Sequence, residues 1–274
     1  MPQTALITGG AGAMARALSE RLLKQGYDLV LVDVDARGLE NAALLAPDHI
    51  RTHRADLTQA GDLEGVADLI ATTPDLTLLV NNAGVIRPGD YTAIDYGDVA
   101  LQMSVNLMAP MRLTHAAAAR FAAQGNGCIF SIVSSAGLVA LPGCAAYSAS
   151  KFGLRGMLIS LAMELEPQGV KVRSLFPGAV DTPMLRYEAT HGGSVLNFLN
   201  KDVLSVEDIA TAAIRTIQGT RFEVVLPSGE VLLSRLVCAF PALLTALLPH
   251  LVKQGEQGLQ RFLRSRGLTP ASTR

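Results

Sequence analysis

Short apolar runs alternate with longer helical stretches along most of this chain. The strand-like runs lie at 4–8, 28–33, 76–81, 127–133, 170–176 and 222–226, with a weaker run at 50–55. They are rich in Val, Leu and Ile without strict alternation, which is typical of parallel strands covered on both faces. Helical candidates lie between them at about 13–25, 62–72, 98–124, 146–166 and 205–218. This alternation predicts an α/β fold, a doubly wound parallel sheet in a three-layer α/β/α arrangement.

The composition excludes several classes of protein. With 49% apolar and 17% charged residues, the 274-residue chain has too much apolar surface to be disordered. A net charge of −1 and the absence of Trp argue against a nucleic-acid partner. Cys128, Cys144 and Cys238 are far apart and odd in number, which argues against a disulfide framework or a metal site and favours a cytoplasmic location. After Met1-Pro2-Gln3 the chain enters an apolar strand without a basic segment, so we expect no secretory signal.

A glycine-rich turn joins the first predicted strand to the first helix. It reads Thr8-Gly9-Gly10-Ala11-Gly12-Ala13-Met14-Ala15. Small residues here let the backbone approach a pyrophosphate, whose charge is favourable at a helix N-terminus, although such turns also occur for structural reasons alone. Asp33 ends the second strand, where a carboxylate accepts hydrogen bonds from an adenosine ribose and repels a 2′-phosphate. Because Val34 follows it rather than Arg or Lys, we predict NAD rather than NADP; the alternative is that Asp33 is a solvated turn acid.

Tyr147 and Lys151 are four residues apart at the start of a predicted helix, so a phenol and an ammonium share one helical face. Alone, such a pair is more often a surface pair. Other polar or turn-forming residues follow the predicted strands, namely Asn81-Asn82-Ala83-Gly84, Ser134, Pro177-Gly178 and Thr182. Asn106 lies in an apolar helix, where a buried amide needs hydrogen-bond partners. Because open α/β sheets bind ligands at the carboxyl ends of their strands, these residues predict one site.

In combination and order, these elements resemble the short-chain dehydrogenase/reductase family over residues 1 to about 226. The resemblance implies a Rossmann-like domain, 1–227, that binds NAD and carries out catalysis. It implies that Tyr147 is the acid/base, that Lys151 lowers its pKa and holds the nicotinamide ribose, that Ser134 binds the substrate oxygen, and that Asn106 supports a water-linked proton relay. Ser135 is the fallback for Ser134. The implied cofactor contacts are Gly9, Gly12, Ala13, Met14, Asp33, Asp56, Leu57, Asn82, Ala83, Gly84, Tyr147, Lys151, Pro177, Gly178, Val180 and Thr182.

The glycine loop departs from the family's common pattern. TGxxxGxG would place glycine at Ala13 and Ala15, whereas this sequence reads TGxxGxxA, which is closer to the longer members of the family. Each alanine adds a methyl group where the backbone approach is tight. We expect cofactor binding to be retained, because alanine is the smallest possible change.

Residues 228–274 are assigned to a C-terminal helical extension. Within 231–252 one helix face is apolar, and Arg235, Pro241, Pro249 and His250 interrupt it. The apolar positions are Leu232, Leu236, Phe240, Leu243, Leu244, Leu247, Leu248 and Leu251. We expect the face to pack on the domain or on a partner subunit; the alternatives are a lid over an apolar substrate and contact with a membrane surface, and no spanning segment is expected. Arg261, Arg264 and Arg266 are expected to form a solvated basic end.

Segment 183–204 is predicted to form part of a substrate lid, with Gly192-Gly193 as a hinge. Its apolar residues Met184, Leu185, Val195, Leu196 and Phe198 favour a bulky apolar alcohol or ketone, such as a steroid, a fused-ring compound or a lipid. Cys144 is expected to pack as a small apolar residue, with a place in the pocket wall as the alternative.

The predicted function is therefore reversible hydride transfer between NAD and a secondary alcohol. Two alternatives stay open: a non-catalytic NAD(H)-binding regulator on the same fold, and dehydration or epimerisation with a bound cofactor. The resemblance also implies a homodimer or homotetramer whose interface uses the helices at 98–124 and 146–166.

Overall fold

One parallel sheet of seven strands runs through the molecule in the order β3-β2-β1-β4-β5-β6-β7. The computed structural model describes residues 3–200, 203–230, 236 and 239–269, with the backbone alone at 230, 241, 243 and 244. The strands are β1 (Gln3–Thr8), β2 (Tyr27–Asp33), β3 (Ile50–Arg54), β4 (Leu76–Asn81), β5 (Gly127–Ile132), β6 (Val170–Pro177) and β7 (Glu223–Leu226). The predicted doubly wound parallel sheet is confirmed, and each strand lies within one residue of its predicted bounds.

Helices follow most of the strands. They are α1 (Ala13–Lys24), α2 (Ala36–Ala43), α3 (Ala60–Thr72), α4 (Tyr96–Met103), α5 (Ala109–Gln124), α6 (Ala145–Leu165), α7 (Pro183–Thr190), α8 (Val206–Gln218) and α9 (Pro241–Arg266). A π-helical turn, Ser104–Met108, joins α4 to α5, so the helical stretch predicted at 98–124 is present, with a wider turn at its centre. The short helices α2 and α7 were not predicted from the sequence.

The core lies on both faces of the sheet. On one face, buried residues of α1, α2 and α8, such as Leu18, Leu39 and Ile209, pack against strand residues such as Ile7. On the other face, residues of α3, α5 and α6, such as Phe121, pack against the alternate strand residues. Because each strand is buried on both sides, its sequence is apolar throughout.

The strand order reverses direction beside β1, which lies between β2 and β4. At such a switch point the connections leave in opposite directions, and a crevice opens at the carboxyl ends of the two strands. The turn after β1 and the Asn81–Gly84 run after β4 both lie at this edge. The topology therefore places the predicted site residues of the first half of the chain around one crevice.

The C-terminal helix α9 contacts the short 3-10 turn Val195–Phe198, and the rings of Phe198 and Phe262 are 5.1 Å apart. The helix is continuous through Pro249. Packing involves the second half of α9, whereas Leu236, Phe240 and Leu247 of the predicted face are exposed. The structure does not describe some positions of the predicted segment 231–252, namely Leu232, Arg235 and Cys238 and the side chains at 241, 243 and 244.

Among the described helices, none has the length and apolar character needed to cross a membrane.

The basic end of α9 is not wholly solvated. Arg266 makes an ion pair of 2.6 Å with Asp181, which also pairs with Arg186 at 3.0 Å. Burial by itself would raise the pKa of Asp181, but the hydrogen bonds and charges of Arg186 and Arg266 together outweigh it and lower this pKa. The Arg266–Asp181 ion pair joins the end of α9 to the segment that enters α7.

The division of the chain into a domain, 1–227, and a C-terminal extension, 228–274, stays a prediction.

Candidate active site

Two clefts and a smaller cavity lie along the carboxyl edge of the sheet. The Tyr147 cleft is lined by Met14, Asn82, Gly84, Ser134, Tyr147, Lys151, Pro177, Gly178, Val180 and Thr182 among the predicted site residues. The Asp33 cleft is lined by Gly9, Asp33, Asp56, Leu57, Ala83 and Gly84. Asn106 and Lys151 line the small cavity together with Leu57 and Ala83. The residues predicted from widely separated parts of the chain are thus brought to adjoining sites, and Gly12 and Ala13 lie at the start of α1.

Tyr147 and Lys151 lie on one side of the first turns of α6, with the Lys151 Nζ 5.6 Å from the centre of the Tyr147 ring. Lys151 is buried. Burial penalises its charged form and lowers its pKa to about 8. The i, i+4 spacing therefore places a buried lysine and a partly buried tyrosine together at the cleft rather than at the outer surface.

The side chain of Ser134 lies beside the Tyr147 hydroxyl in the cleft, close enough to lower its pKa. Desolvation raises the pKa of Tyr147 above its usual value, the Ser134 side chain opposes this, and the negative charge that Glu188 and Cys144 can carry raises it further. Burial outweighs the contact with Ser134, so the pKa of Tyr147 is raised in this structure. A lowering of this pKa by Lys151 stays a prediction.

Ser134 follows β5 and caps the 3-10 turn Ser135–Gly137, since its Oγ accepts a hydrogen bond of 3.1 Å from the Ala136 N–H. Ser135 also lines the Tyr147 cleft. The contact with the Tyr147 hydroxyl distinguishes Ser134 from its neighbour as the candidate for binding a substrate oxygen.

Asn106 lies in the π-helical turn and is fully buried. Its Oδ1 accepts a hydrogen bond of 2.8 Å from the Val85 N–H, and its Nδ2 donates one of 2.8 Å to the Val85 carbonyl. The buried amide is therefore satisfied by the backbone directly after the Asn81–Gly84 run. The geometry assigns Asn106 to holding this backbone; a role in a proton relay stays a prediction.

The backbone is close-packed at the glycine turn. Gly9 has φ +67°, and a Cβ there would lie 2.9 Å from the Ala83 Cα, so glycine is required. Gly12 is the N-cap residue of α1, and the first turn of that helix carries no acidic side chain. Its leading N–H groups have no partners within the helix and are suited to an anion.

Asn82 fixes this turn to the end of β4. Its Nδ2 donates to the Thr8 carbonyl at 2.9 Å and to the Gly9 carbonyl at 3.1 Å. The Thr8 Oγ1 in turn accepts from the Asn82 and Ala83 N–H groups at 3.1 Å each. The predicted cofactor residue Asn82 thus shapes the loop through its side chain.

The carboxylate of Asp33 lies at the end of β2 and is partly buried in the wall of its cleft. Oδ2 accepts a hydrogen bond of 3.0 Å from the Ala11 N–H, and Oδ1 accepts one of 3.0 Å from the Asp35 N–H. Asp56, across the cleft, accepts hydrogen bonds from the N–H and hydroxyl of Thr58 at 2.9 and 2.7 Å, which lower its pKa. Both acids are held in fixed orientations at the cleft.

Sequence reasoning missed two polar residues of the Tyr147 cleft, Glu188 and Asn197. Glu188 is on α7 and Asn197 is in the 3-10 turn of the predicted lid, where Met184 and Leu185 line the cleft as expected. Leu196 and Phe198 are buried, and Phe198 packs with α9 instead. Cys144 is buried with its Sγ 3.5 Å from the Glu188 Oε1, so it packs beneath the lid. Among the described side chains, no group of three His, Cys, Asp or Glu is placed to hold a metal ion.

Comparisons with known proteins agree with this geometry. A family model described as short chain dehydrogenase matches residues 3–192. The 3-alpha-(or 20-beta)-hydroxysteroid dehydrogenase of Mycobacterium tuberculosis is 34% identical over 187 residues, which is 66% of this chain and 70% of the relative. A short-chain dehydrogenase from Sphingobium yanoikuyae in complex with NADPH has a TM-score of 0.78 at 27% identity and covers 89% of this chain and 96% of its own. The bulky-bulky ketone specific alcohol dehydrogenase from Comamonas testosteroni has a TM-score of 0.76 at 28% identity, covering 89% and 94%.

Proposed function

This chain belongs to the short-chain dehydrogenase family of oxidoreductases, and we propose that it transfers hydride between NAD and a secondary alcohol or the matching ketone. The observation that carries the proposal is the contact of the Tyr147 hydroxyl with Ser134, beside the buried Lys151, in a cleft at the carboxyl edge of the sheet. These are the groups that a proton transfer to or from a substrate oxygen requires.

The residues present fit a dinucleotide. The close-packed turn at Gly9 and the N-terminus of α1 are suited to the pyrophosphate, and the Asp33 cleft is suited to the adenosine. We propose that Lys151, Pro177, Gly178, Val180 and Thr182 hold the nicotinamide end, since they line the Tyr147 cleft. When bound, the nicotinamide supplies the hydride acceptor or donor.

The chain's own residues then manage the proton. In alcohol oxidation Tyr147 accepts the hydroxyl proton, and in ketone reduction it returns this proton to the oxygen. Ser134 donates a hydrogen bond to the same oxygen as charge develops on it. Lys151, whose pKa is about 8, is largely cationic at neutral pH and favours the phenolate form.

The preference for NAD is proposed from Asp33. A carboxylate held by the Ala11 and Asp35 N–H groups is a fixed negative charge at the end of β2. It would accept hydrogen bonds from a ribose and repel a 2′-phosphate. A fluorescence titration with NADH and with NADPH tests this, and tighter binding of NADPH would reverse the assignment.

The substrate is proposed to be a bulky, largely apolar alcohol or ketone. Ile86, Leu141, Met184 and Leu185 contribute apolar surface to the Tyr147 cleft. In support, a curated relative is named for hydroxysteroids and a structural neighbour for bulky ketones. A substrate panel in which small sugars are oxidised best would contradict this.

The test of the function is Tyr147→Phe, which removes the hydroxyl and keeps the ring. We expect alcohol-dependent NADH formation to fall by at least about 100-fold, because the proton acceptor is lost. NADH affinity should stay near that of the wild type. A variant that still turns over rapidly would remove Tyr147 from the acid/base role, and a wild-type protein that binds NADH but oxidises no alcohol would favour the non-catalytic regulator.

A further inference from the structure

The lid introduces two polar side chains into an otherwise apolar side of the Tyr147 cleft. Glu188 of α7 and Asn197 of the 3-10 turn line the cleft together with Tyr147 and Ser134. The Asn197 Nδ2 donates a hydrogen bond of 2.5 Å to the Glu188 Oε1. The two side chains act as one unit, which we name the Glu188–Asn197 pair.

Glu188 is buried, with 5% of its surface exposed. In the described part of the chain it forms no ion pair with a Lys, Arg or His side chain. Burial raises its pKa to about 7, so a substantial fraction is ionised at neutral pH. A buried carboxylate without a counter-charge is costly, and its position needs a reason beyond packing.

Holding the lid together explains part of this arrangement. The carboxylate receives hydrogen bonds from the Cys144 thiol, the Ser194 backbone and the Asn197 amide. A Cβ at Gly193 would overlap the Glu188 side chain, so the glycine turn closes directly over it. A carboxylate offers about four acceptor positions, so the three donors leave one position unused in a side chain that lines the cleft. A neutral glutamine would hold the lid at less cost in desolvation.

We propose that the Glu188–Asn197 pair recognises a second hydroxyl group on the substrate, so that this enzyme prefers diols and hydroxyketones to alcohols with a single oxygen. This inference rests on the proposed oxidoreductase function and narrows its substrate class. In this arrangement Tyr147 and Ser134 bind the reacting oxygen, and the lid pair binds the other. A substrate without the second hydroxyl leaves the buried carboxylate without that donor.

The experiment compares probes that share one ring: cyclohexanol and cyclohexane-1,2-diol, -1,3-diol and -1,4-diol. In the wild type we expect kcat/KM for at least one diol to exceed that for cyclohexanol by about tenfold or more, as is typical of a hydrogen bond to a charged group. In Glu188→Gln this diol-to-cyclohexanol ratio should fall at least about fivefold, because a hydrogen bond to a neutral amide is weaker. Asn197→Ala should reduce the same ratio.

Glu164→Gln is the matched control, since Glu164 is exposed on α6, and it should keep the wild-type ratio. Thermal unfolding and NADH titration of each variant establish that it is folded. No diol preference in the wild type, or an unchanged preference in both folded lid variants, overturns the inference while leaving the oxidoreductase function standing. Failure of the wild type to oxidise any of the four probes or any larger alcohol overturns the proposed function and this inference with it.

Discussion

Glu188 couples the stability of the protein to pH at the level of a single residue. Its pKa is raised from 4.5 to about 7 by burial. The unfolded chain therefore loses this proton more readily than the folded chain does. Its contribution to stability is complete below about pH 4.5 and is lost as the pH rises through about 7.

We expect Glu188→Gln to stabilise the protein relative to the wild type as the pH is raised. The amide does not ionise, so the difference in unfolding free energy between variant and wild type should grow by roughly 2 to 3 kcal/mol between pH 5 and pH 8. Urea unfolding at the two pH values measures it. A pH-independent difference for Glu188→Gln would mean that burial does not raise the pKa of this carboxyl.

The motif residues of the site could be predicted from the sequence, whereas the lid residue Glu188 could not. Tyr147, Lys151 and Ser134 belong to a motif whose order and spacing are recognisable, and the structure places them together. Glu188 lies in Arg186-Tyr187-Glu188-Ala189-Thr190, a short polar segment of the kind that is usually exposed. Its burial depends on Cys144, on Asn197 and on the turn at Gly193, which are contacts that the local sequence pattern does not show.

At the level of elements, α9 supports the lid through two glycines. Side chains at Gly255 and Gly258 would overlap the carbonyl oxygens of Val195 and Phe198 respectively. Glycine at both positions lets the helix lie directly on the 3-10 turn that carries Asn197. The C-terminal helix therefore determines where one wall of the Tyr147 cleft lies.

Gly258→Ala should weaken substrate binding while preserving cofactor binding. The added methyl group overlaps the Phe198 carbonyl, so α9 and the lid must separate. We expect KM for the best alcohol to rise roughly tenfold, since displaced cleft residues lose their positions. The NADH dissociation constant should change little, because the Asp33 cleft is formed by other elements. Steady-state kinetics and NADH titration measure the two effects.

The matched control for this experiment is Gly61→Ala on α3, where nothing lies within 4 Å of the new Cβ. An equal rise in KM in both variants, or none in Gly258→Ala, would contradict the role of α9 as a support.

Sequence periodicity predicted the strands well and the C-terminal helix α9 poorly. Strands such as Leu76–Asn81 are short apolar runs, and the burial of both faces leaves a clear signal. The sequence predicts an apolar face at 231–252, interrupted by Arg235, Pro241, Pro249 and His250, whereas α9 runs on to Arg266 and packs through its second half. Its packed positions are Gly255, Gly258, Phe262 and Leu263, which follow the spacing of one helix face. Two of the four are glycines, which contribute no apolar side chain, so the sequence shows no apolar face there.

At the level of the whole molecule, the outer faces of α5 and α6 have the character of an interface between copies of the chain. Met108, Met111 and Met163 are 55%, 40% and 69% exposed. A Cβ at Gly156 would have nothing within 4 Å. Exposed methionines around small residues permit close packing of a second helix pair. We propose a homodimer through this surface, in keeping with the predicted oligomer. The same helix α6 carries Tyr147 and Lys151 on its inner side.

Gly156→Arg should convert such a dimer into monomers without unfolding the chain. The new side chain has open space within its own subunit, and arginine favours a helix more than glycine does, so stability should not fall. Across an interface, however, it would introduce a large cation where two surfaces meet closely. Light scattering coupled to size-exclusion chromatography measures the mass, and Gly61→Arg, equally open on α3, should leave it unchanged. A Gly156→Arg variant that keeps the wild-type oligomeric mass would show that α6 does not form the interface.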